Sequence, residues 1–581
     1  MQNGNTGFIL NDYPSISYRG QVYRNPAHVG TEYDVVLISG DAYVDHPSFS
    51  AAVVCRSLER LGLSVAVIAQ PDWLKDDDFL QWGRPDKFFA VVPGAMDSMV
   101  ANYTATKMPR GKDRLSPGGK PGLRPKRAAQ VYCQKLKQLF KGVPIILGGI
   151  EASLRRFVHY DFWEDKLRDP ILMDAPADIL VYGMAEAVLE KVVEYLGAEK
   201  RSDFPRIPQT CIRVRHDSWR NCLNKEFLLL PDVSACKQSP EAFMRMSIVL
   251  DKAVRADGKI LIQQHPKGDI LCFPPAARDF ARETGIMNEL KFNRRAHPVY
   301  SEPVPALEPV QFSIQSHRGC LGACTFCALA LHQGRYIRSR KQEDIVREVK
   351  SLVYHPDFKG VIPDIGGPAV NMYGWECKVS GCADGICTEK GLCKNIQGGI
   401  EPIAELLKSV AKIDGVRHVF LGSGLRYDLI TENDWKSFGE IILHHVSGQL
   451  KVAPEHFDLE VLRLMRKGVN SDFSVFARRF YEFCRRNGRK LFLVPYLMTA
   501  FPGCEDSDSV LEKKIRDLKL AHEQIQEFTP TPGSLASAMY YSGLDFNMKK
   551  INVHRKRSER LKTRKILHKD KKNSGRRNLK K

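Results

Sequence analysis

Three cysteines, Cys320, Cys324 and Cys327, stand at C-x-x-x-C-x-x-C spacing in the stretch "SHRGCLGACTFCALALHQGR", directly after an apolar segment. Thiolates are soft ligands, so the spacing points to metal or iron–sulfur chemistry. A structural zinc site takes four protein ligands, often as two CxxC pairs, and no fourth cysteine follows at once. Three thiolates suit an iron–sulfur cluster that keeps one iron open for a substrate or a cofactor. A second set, "CKVSGCADGICTEKGLC", puts Cys377, Cys382, Cys387 and Cys393 within 17 residues. Their spacings of four, four and five residues match no standard zinc pattern, so an auxiliary iron–sulfur cluster and a structural zinc both stay open.

The rest of the composition sets the context for those thiols. At 581 residues the chain is too long for one core, since domains run to roughly 100–200 residues. No stretch approaches the roughly 18 uninterrupted apolar residues of a membrane helix, so no membrane partner is expected. The start, "MQNGNTGFILNDYPSISYRG", has no basic patch followed by an apolar run, which argues against a secretory signal. Fifteen cysteines, an odd number in such a chain, read as reduced thiols or ligands in a cytoplasmic protein. The net charge of +20 is concentrated at one end: Met548–Lys581 carries +14 and the preceding residues +6. A run of this kind is expected to be a disordered extension over 546–581, with RNA contact as the minority reading. Met548–Lys581 contains no Phe, Tyr or Trp that would stack on bases.

The elements that must position the cysteines fall into two series. In the first, over residues 1–200, "YDVVLISG", "LSVAVIAQ", "KFFAVVPG", "VPIILGG" and "ADILVYG" are apolar strands separated by helical segments. They predict an α/β, Rossmann-like parallel sheet covered on both faces. Ligands on such sheets bind at the strand carboxyl ends, here Gly40-Asp41, Pro93-Gly94, Gly148-Gly149 and Gly183, although these glycines serve tight turns equally well. The basic stretch "TATKMPRGKDRLSPGGKPGLRPKRAAQ" reads as a long surface loop, and residues 201–309, punctuated by proline, as a connecting module. In the second series, over 310–545, "VQFSIQS", "GVIPDIGG", "VRHVFLGSG", "GQLKVAPE", "KLFLVPYLMT" and "IQEFTP" are six strands separated by helices. Six β-α repeats predict a (βα)6 partial barrel, with the residue 377–393 set as an insertion and chemistry at the strand carboxyl ends. The cysteine trio follows the first of these strands.

With Phe326 before its last cysteine, the trio resembles the signature of the radical S-adenosylmethionine (SAM) superfamily. Further motifs, "SGDAYVDHPSF", "GGIEASLRR", "HYDFW", "DIGGPAVNMY", "SGLRYD", "LKVAPEH" and "MYYSG", resemble the YgiQ family of radical SAM proteins over roughly Asp34 to Gly543. The resemblance implies a radical SAM barrel behind a cobalamin-binding-like domain. It also implies that Cys320, Cys324 and Cys327 hold a [4Fe-4S] cluster whose open iron chelates SAM. One electron from a low-potential donor would then cleave SAM to methionine and a 5′-deoxyadenosyl radical that acts on a substrate the motifs do not identify. Gly366, Gly367 and Pro368 lie where the superfamily has its glycine-rich SAM-contacting strand, with Pro368 replacing the usual acidic residue and Asp364 nearby. Ser423 and Arg426 follow the third barrel strand, and Glu455 and His456 the fourth, as candidate cofactor contacts or as structural hydrogen bonds. Asp45-His46 lacks the D-x-H-x-x-G setting of a cobalt-ligating histidine. Cobalamin held without a protein ligand would not need that histidine, so it stays open without residue-level support, and a Rossmann-like lid that binds substrate or docks the barrel is favoured. The enzyme reading competes with a narrower one, a methyl or methylthio transferase on RNA or a ribosomal protein, and with a non-enzymatic one, an RNA-associated protein with a structural metal.

Overall fold

The structure is a computed structural model that describes residues 10–560 except 31, 199–203, 221–222, 224–225, 256–257, 276–278, 380–381, 383–384, 390, 469–471, 505–507, 519, 521–523, 557 and 559. Strands Val35–Ser39, Val65–Ala69, Phe88–Val92, Ile145–Leu147 and Ile179–Val181 are buried at every position, as parallel strands covered on both faces must be. They pair in parallel in the spatial order second, first, third, fourth, fifth. That order puts the topological switch point between Val35–Ser39 and Phe88–Val92.

The predicted surface loop closes this point. Buried Arg124 donates from Nε to the Gly40 carbonyl (2.9 Å), binds the Asp41 carboxylate and lies 3.3 Å from Asp113. The turn reading of Gly40-Asp41 and Pro93-Gly94 therefore describes these strand ends better than an open ligand crevice does.

Residues 201–309 differ from a connecting module. Thr210–Val214, Asp269–Cys272, Ile260–Gln263 and Phe227–Leu229 continue the same sheet beyond Ile179–Val181, and Ser15–Tyr18 and Gln21–Tyr23 extend its other edge to eleven strands. Their prolines sit in the loops, and most of their pairings are antiparallel, so they lack the regular β-α spacing that marks the first five.

The six barrel strands are present and parallel, in chain order. Ile314–Gln315 pairs with Ile365–Gly366, and Val361–Ile362 with His418–Val419. Leu425 bridges Val452, and Gln449–Glu455, Phe492–Thr499 and Gln524–Glu527 complete the series. Helix Gln342–Leu352 turns Ile345, Val349 and Leu352 toward the barrel core, where they join Ile403, Leu406, Leu407 and Val410 of Glu401–Ala411. The expected extension over 546–581 is packed in its described part. Ile551 N–H donates to the Gly543 carbonyl, and buried Arg560 pairs with Glu527, anchoring this basic segment on the last strand. Residues 561–581 lie outside the described residues.

Layer and barrel are locked by buried charge. Glu348 on helix Gln342–Leu352 accepts from Arg340 (2.6 Å) and pairs with Arg294, which also donates to the Gln311 and Ser313 carbonyls (2.9 and 2.8 Å). Burial works against ionisation of Glu348, yet Arg340 and Arg294 hold its carboxyl below the usual range. Such a group stabilises the fold above the unfolded glutamate value of about 4.3, and the contribution is lost as pH falls through the lower folded value. Removing one partner of a buried pair costs about 3–5 kcal/mol. Because 24% of the Glu348 side chain is exposed, the lower part of that range applies. Glu348→Gln should lower the thermal midpoint at pH 7, and thermal melts across pH 7 to 3 should show the gap from the parent narrowing as the parent protonates.

Candidate functional site

The cysteine loop leaves the first barrel strand and is pinned on three sides. Gly319 adopts φ +83°, and a Cβ there would collide with the Tyr336 carbonyl, so only glycine lets the chain turn into the loop. Between the second and third cysteines, Thr325 donates its N–H to the Met465 carbonyl (3.1 Å) and its hydroxyl to the Leu464 carbonyl (2.9 Å). Its own carbonyl accepts from Ala536 N–H (3.0 Å). Phe326 packs its ring edge-on to Phe501, and Cys327 begins helix Ala328–Gln333, its N–H donating to the Cys324 carbonyl (3.1 Å). Tertiary contacts thus fix the ligand-bearing backbone before any metal binds.

The three cysteines are half-buried and lie within electrostatic reach of one another. Burial pushes Cys327 up to about 12, with Cys324 and Cys320 adding to the effect. Burial and Cys324 likewise raise Cys320, while Arg426 opposes them. Arg426 is the cation of the site: buried, with one guanidinium nitrogen 4.0 Å from the Cys324 sulfur. Asp428 aims it by accepting from Nε at 2.7 Å. Against the pull of burial, Arg426 keeps the Asp428 carboxyl below its ordinary range. Glu455 ends the fourth barrel strand at φ +64°, beside a register shift, and lies 3.7 Å from Lys467. Burial raises its carboxyl, opposed by Lys467 and Arg426. Asp428 and Lys467 were not singled out from the sequence; the signal for Asp428 was its place two residues after Arg426 in "LRYD".

The glycine pair stands at the carboxyl end of the second strand. A side chain on Gly366 would strike Ser423 and Asp364, and one on Gly367 the His317 ring; half-buried Pro368 follows. Asp364 accepts from the Gly422 and Ser423 N–H groups (2.8 and 2.9 Å) and from the Ser423 hydroxyl. Ser423 is therefore a structural hydrogen-bond partner that closes two strand ends together. His456 also has a structural bond, its Nδ1 accepting from Asp458 N–H at 3.0 Å. Arg426 reaches the cysteines, Glu455 joins them through the field of Arg426 and Lys467, and Gly366, Gly367 and Ser423 form the neighbouring strand ends.

A radical SAM N-terminal family model matches residues 26–313, which hold nine of the eleven strands of the layer. A UPF0313 protein of Methanosarcina mazei is 41% identical over 577 residues, covering 92% of each chain. The chain belongs to the UPF0313 family. One from Clostridium perfringens is 41% identical over 548 residues, covering 92% of this chain and 82% of the relative. Among solved structures, the radical S-adenosylmethionine methyltransferase TsrM from Kitasatospora setae, with cobalamin and a [4Fe-4S] cluster bound, has a TM-score of 0.50 at 13% identity. It covers 87% of this chain and 74% of its own, a likeness of fold. This UPF0313 protein is a radical SAM enzyme.

The residues present fit a [4Fe-4S] cluster and SAM. Three soft thiols meet one buried cation, and they are not all within 4.8 Å of one another, as the ligands of a single ion would be. They do not fit a cobalamin at the switch point of the sheet. Arg124 fills it, and buried His46 is engaged on both ring nitrogens, Nδ1 accepting from Ser48 N–H (3.1 Å) and Nε2 lying 3.2 Å from Arg294. The layer instead docks the barrel. Ser153 bonds His332 on the helix after Cys327 (2.9 Å), and Glu186 pairs with Arg318 (2.5 Å) just before Cys320. Among the described residues no helix is long and apolar enough to cross a membrane.

Two substitutions test this site through dithionite-dependent conversion of SAM to 5′-deoxyadenosine. Cys324→Ala should abolish it. Asp428→Asn, which frees Arg426 without touching a ligand, should lower it about 10- to 100-fold per cluster and shift the cluster's reduction potential. An unchanged potential and rate in the Asn variant would remove Arg426 from the cluster's electrostatics.

Proposed function

We propose that this radical SAM enzyme acts on a small substrate bearing an acidic group, held by Arg156 in a cavity between the N-terminal layer and the segment that follows the cysteine loop. The cavity measures about 660 Å³, within the range of about 300–1,000 Å³ typical of small-molecule sites. Its walls are Tyr182, Cys272 and Phe280 on the layer and Leu331 to Tyr336 on the barrel side. The observation that carries the reading is Arg156: it is 7% exposed, 4.0 Å from the centre of the Tyr182 ring, and faced by the Cys272 and Cys211 thiols instead of a carboxylate. A guanidinium this buried, faced by the Cys272 and Cys211 thiols and the Tyr182 ring, has donors to spare for a carboxylate or phosphate.

When bound, the cluster and SAM supply reductive cleavage and a hydrogen-abstracting radical. This chain's residues supply the rest. Arg426 and Asp428 set the charge around the thiols, Thr325 fixes the loop, and the Arg318–Glu186 pair ties the layer to the barrel. His332 lies between cavity and loop, and burial together with Arg156 and Arg318 brings it down to about 4, so it stays neutral at pH 7 and adds no competing cation. The reading includes a low-potential electron donor and a reducing, cytoplasmic setting, in keeping with the absence of disulfides among the described cysteines.

A small-molecule cell extract separated by anion exchange tests the proposal. The retained, acidic fraction should stimulate 5′-deoxyadenosine formation several-fold in the parent enzyme and not in Arg156→Gln, while the uncoupled rate without extract stays equal in both. Stimulation by the unretained fraction, or equal stimulation of the two proteins, would sink it.

A further inference from the structure

The 377–393 insertion stands apart from the catalytic loop in sequence, yet its described residues pack against the cluster that receives Cys320. A two-residue antiparallel pair, Glu376–Cys377 with Ile396–Gln397, clamps its two ends. Lys378 N–H donates to the Asn395 carbonyl, Cys393 N–H to the Cys387 carbonyl, and Ile396 N–H to the Cys393 carbonyl, each at 2.9 Å. These bonds draw the last two cysteines back toward the first. Cys387 is buried, and the charged or ionisable groups around its thiol are Arg335 and the other three cysteines of the insertion, Cys393, Cys377 and Cys382.

We propose that Cys377, Cys382, Cys387 and Cys393 ligate a second iron–sulfur cluster, held entirely by cysteine, against the site of the first. Cys377, Cys387 and Cys393 gather on an apolar cluster with Trp375, Met372 and Ile396, the same cluster receives Cys320 from the catalytic loop, and Cys382 lies within electrostatic reach of Cys387. The insertion also touches the catalytic cation directly, since the Thr388 hydroxyl lies 3.5 Å from Arg426. Each sulfur set thus has an arginine beside it, Arg426 for the trio and Arg335 for the four.

A single zinc ion fits this pocket less well than a cluster. Tetrahedral zinc at about 2.3 Å from each thiolate holds the sulfurs about 3.8 Å apart. Among the described residues no three of these sulfurs lie within 4.8 Å of one another; the one group of potential ligands that close is His216, Asp217 and Asp269. That group is already committed, with Asp269 accepting from Trp219 Nε1 (2.7 Å) and Asp217 from Arg220 Nε (2.8 Å). The wider sulfur spacing is shared with the catalytic trio and suits a polynuclear centre. With all four ligands drawn from the chain, the second cluster has no open iron, so it binds neither SAM nor substrate directly.

Iron, sulfide and zinc analysis with electron paramagnetic resonance, on anaerobically reconstituted full-length protein, tests this apart from any activity. The parent should carry about eight irons and eight sulfides, and the Cys320/Cys324/Cys327 triple alanine variant about four of each. The signal of the reduced triple variant should not change when SAM is added. Cys382→Ala with Cys393→Ala in the otherwise native chain should keep about four irons and a SAM-responsive signal, which also reports that the variant is folded. A parent holding only about four irons, a triple variant without iron, or one holding about one zinc and no sulfide would each overturn the proposal.

Discussion

Negative charge gathered in a buried place is the constraint around which this molecule is organised. Of the three thiols that must become thiolates, Cys320 and Cys327 sit where burial drives them toward the neutral form. A positive metal centre resolves most of that conflict, and Arg426 resolves part of the rest from the opposite wall. A guanidinium in so dry a place needs its own partner, which is why Asp428 is there, and why both are nearly inaccessible to solvent. Glu455 and Lys467 extend the same alternation of sign one step further into the barrel. The polar residues at the strand ends thus form one electrostatic system, and the cofactor would be its central member.

Such a system works only if the loop that carries the thiols does not move. Thr325 answers that requirement: the helix Leu459–Met465 and the helix Leu535–Ser542 both grip its backbone, so the cysteine spacing is imposed by elements more than 130 residues away in the chain. Helix Ala328–Gln333 is then pressed between barrel and layer by the Ser153–His332 bond. Binding sites assembled in this way are preorganised, and the cofactor does not have to order them.

The sequence showed much of this and missed a definable part. The trio, the five buried strands and the six barrel repeats were readable because local spacing encodes each of them. The continuation of the sheet through Thr210–Val214 and Asp269–Cys272 was not readable, because antiparallel pairing between segments more than fifty residues apart leaves no periodic trace. Ser423 read from the sequence as a cofactor contact or a structural hydrogen bond alike, since a small hydroxyl at a strand end can serve either role, and its bond to Asp364 comes from long-range approach. Asp428, Lys467 and the gripping of Thr325 depend on long-range approach, which composition does not carry. Arg560 shows the opposite error, a basic residue in a basic run that nevertheless finds a buried carboxylate, Glu527.

The N-terminal layer carries the last lesson about fold and role. Its strand order is one whose switch point commonly receives a ligand, yet here the chain closes that point with its own Arg124 and Asp41. The open space lies farther along the sheet, where Tyr182 and Cys272 face the segment after the cysteine loop. Moving the cavity from the centre of the sheet toward its extended edge brings it next to the helix that begins at Cys327. A radical generated at the cysteines has to meet its substrate in a dry space within reach, and a cavity on that side satisfies the condition where the central crevice would not. The extra antiparallel strands, which look like an ornament on the sheet, are what build the cavity's outer wall and place Arg156 beside a thiol pair. On the proposed reading, the appended edge and not the central crevice would meet the substrate.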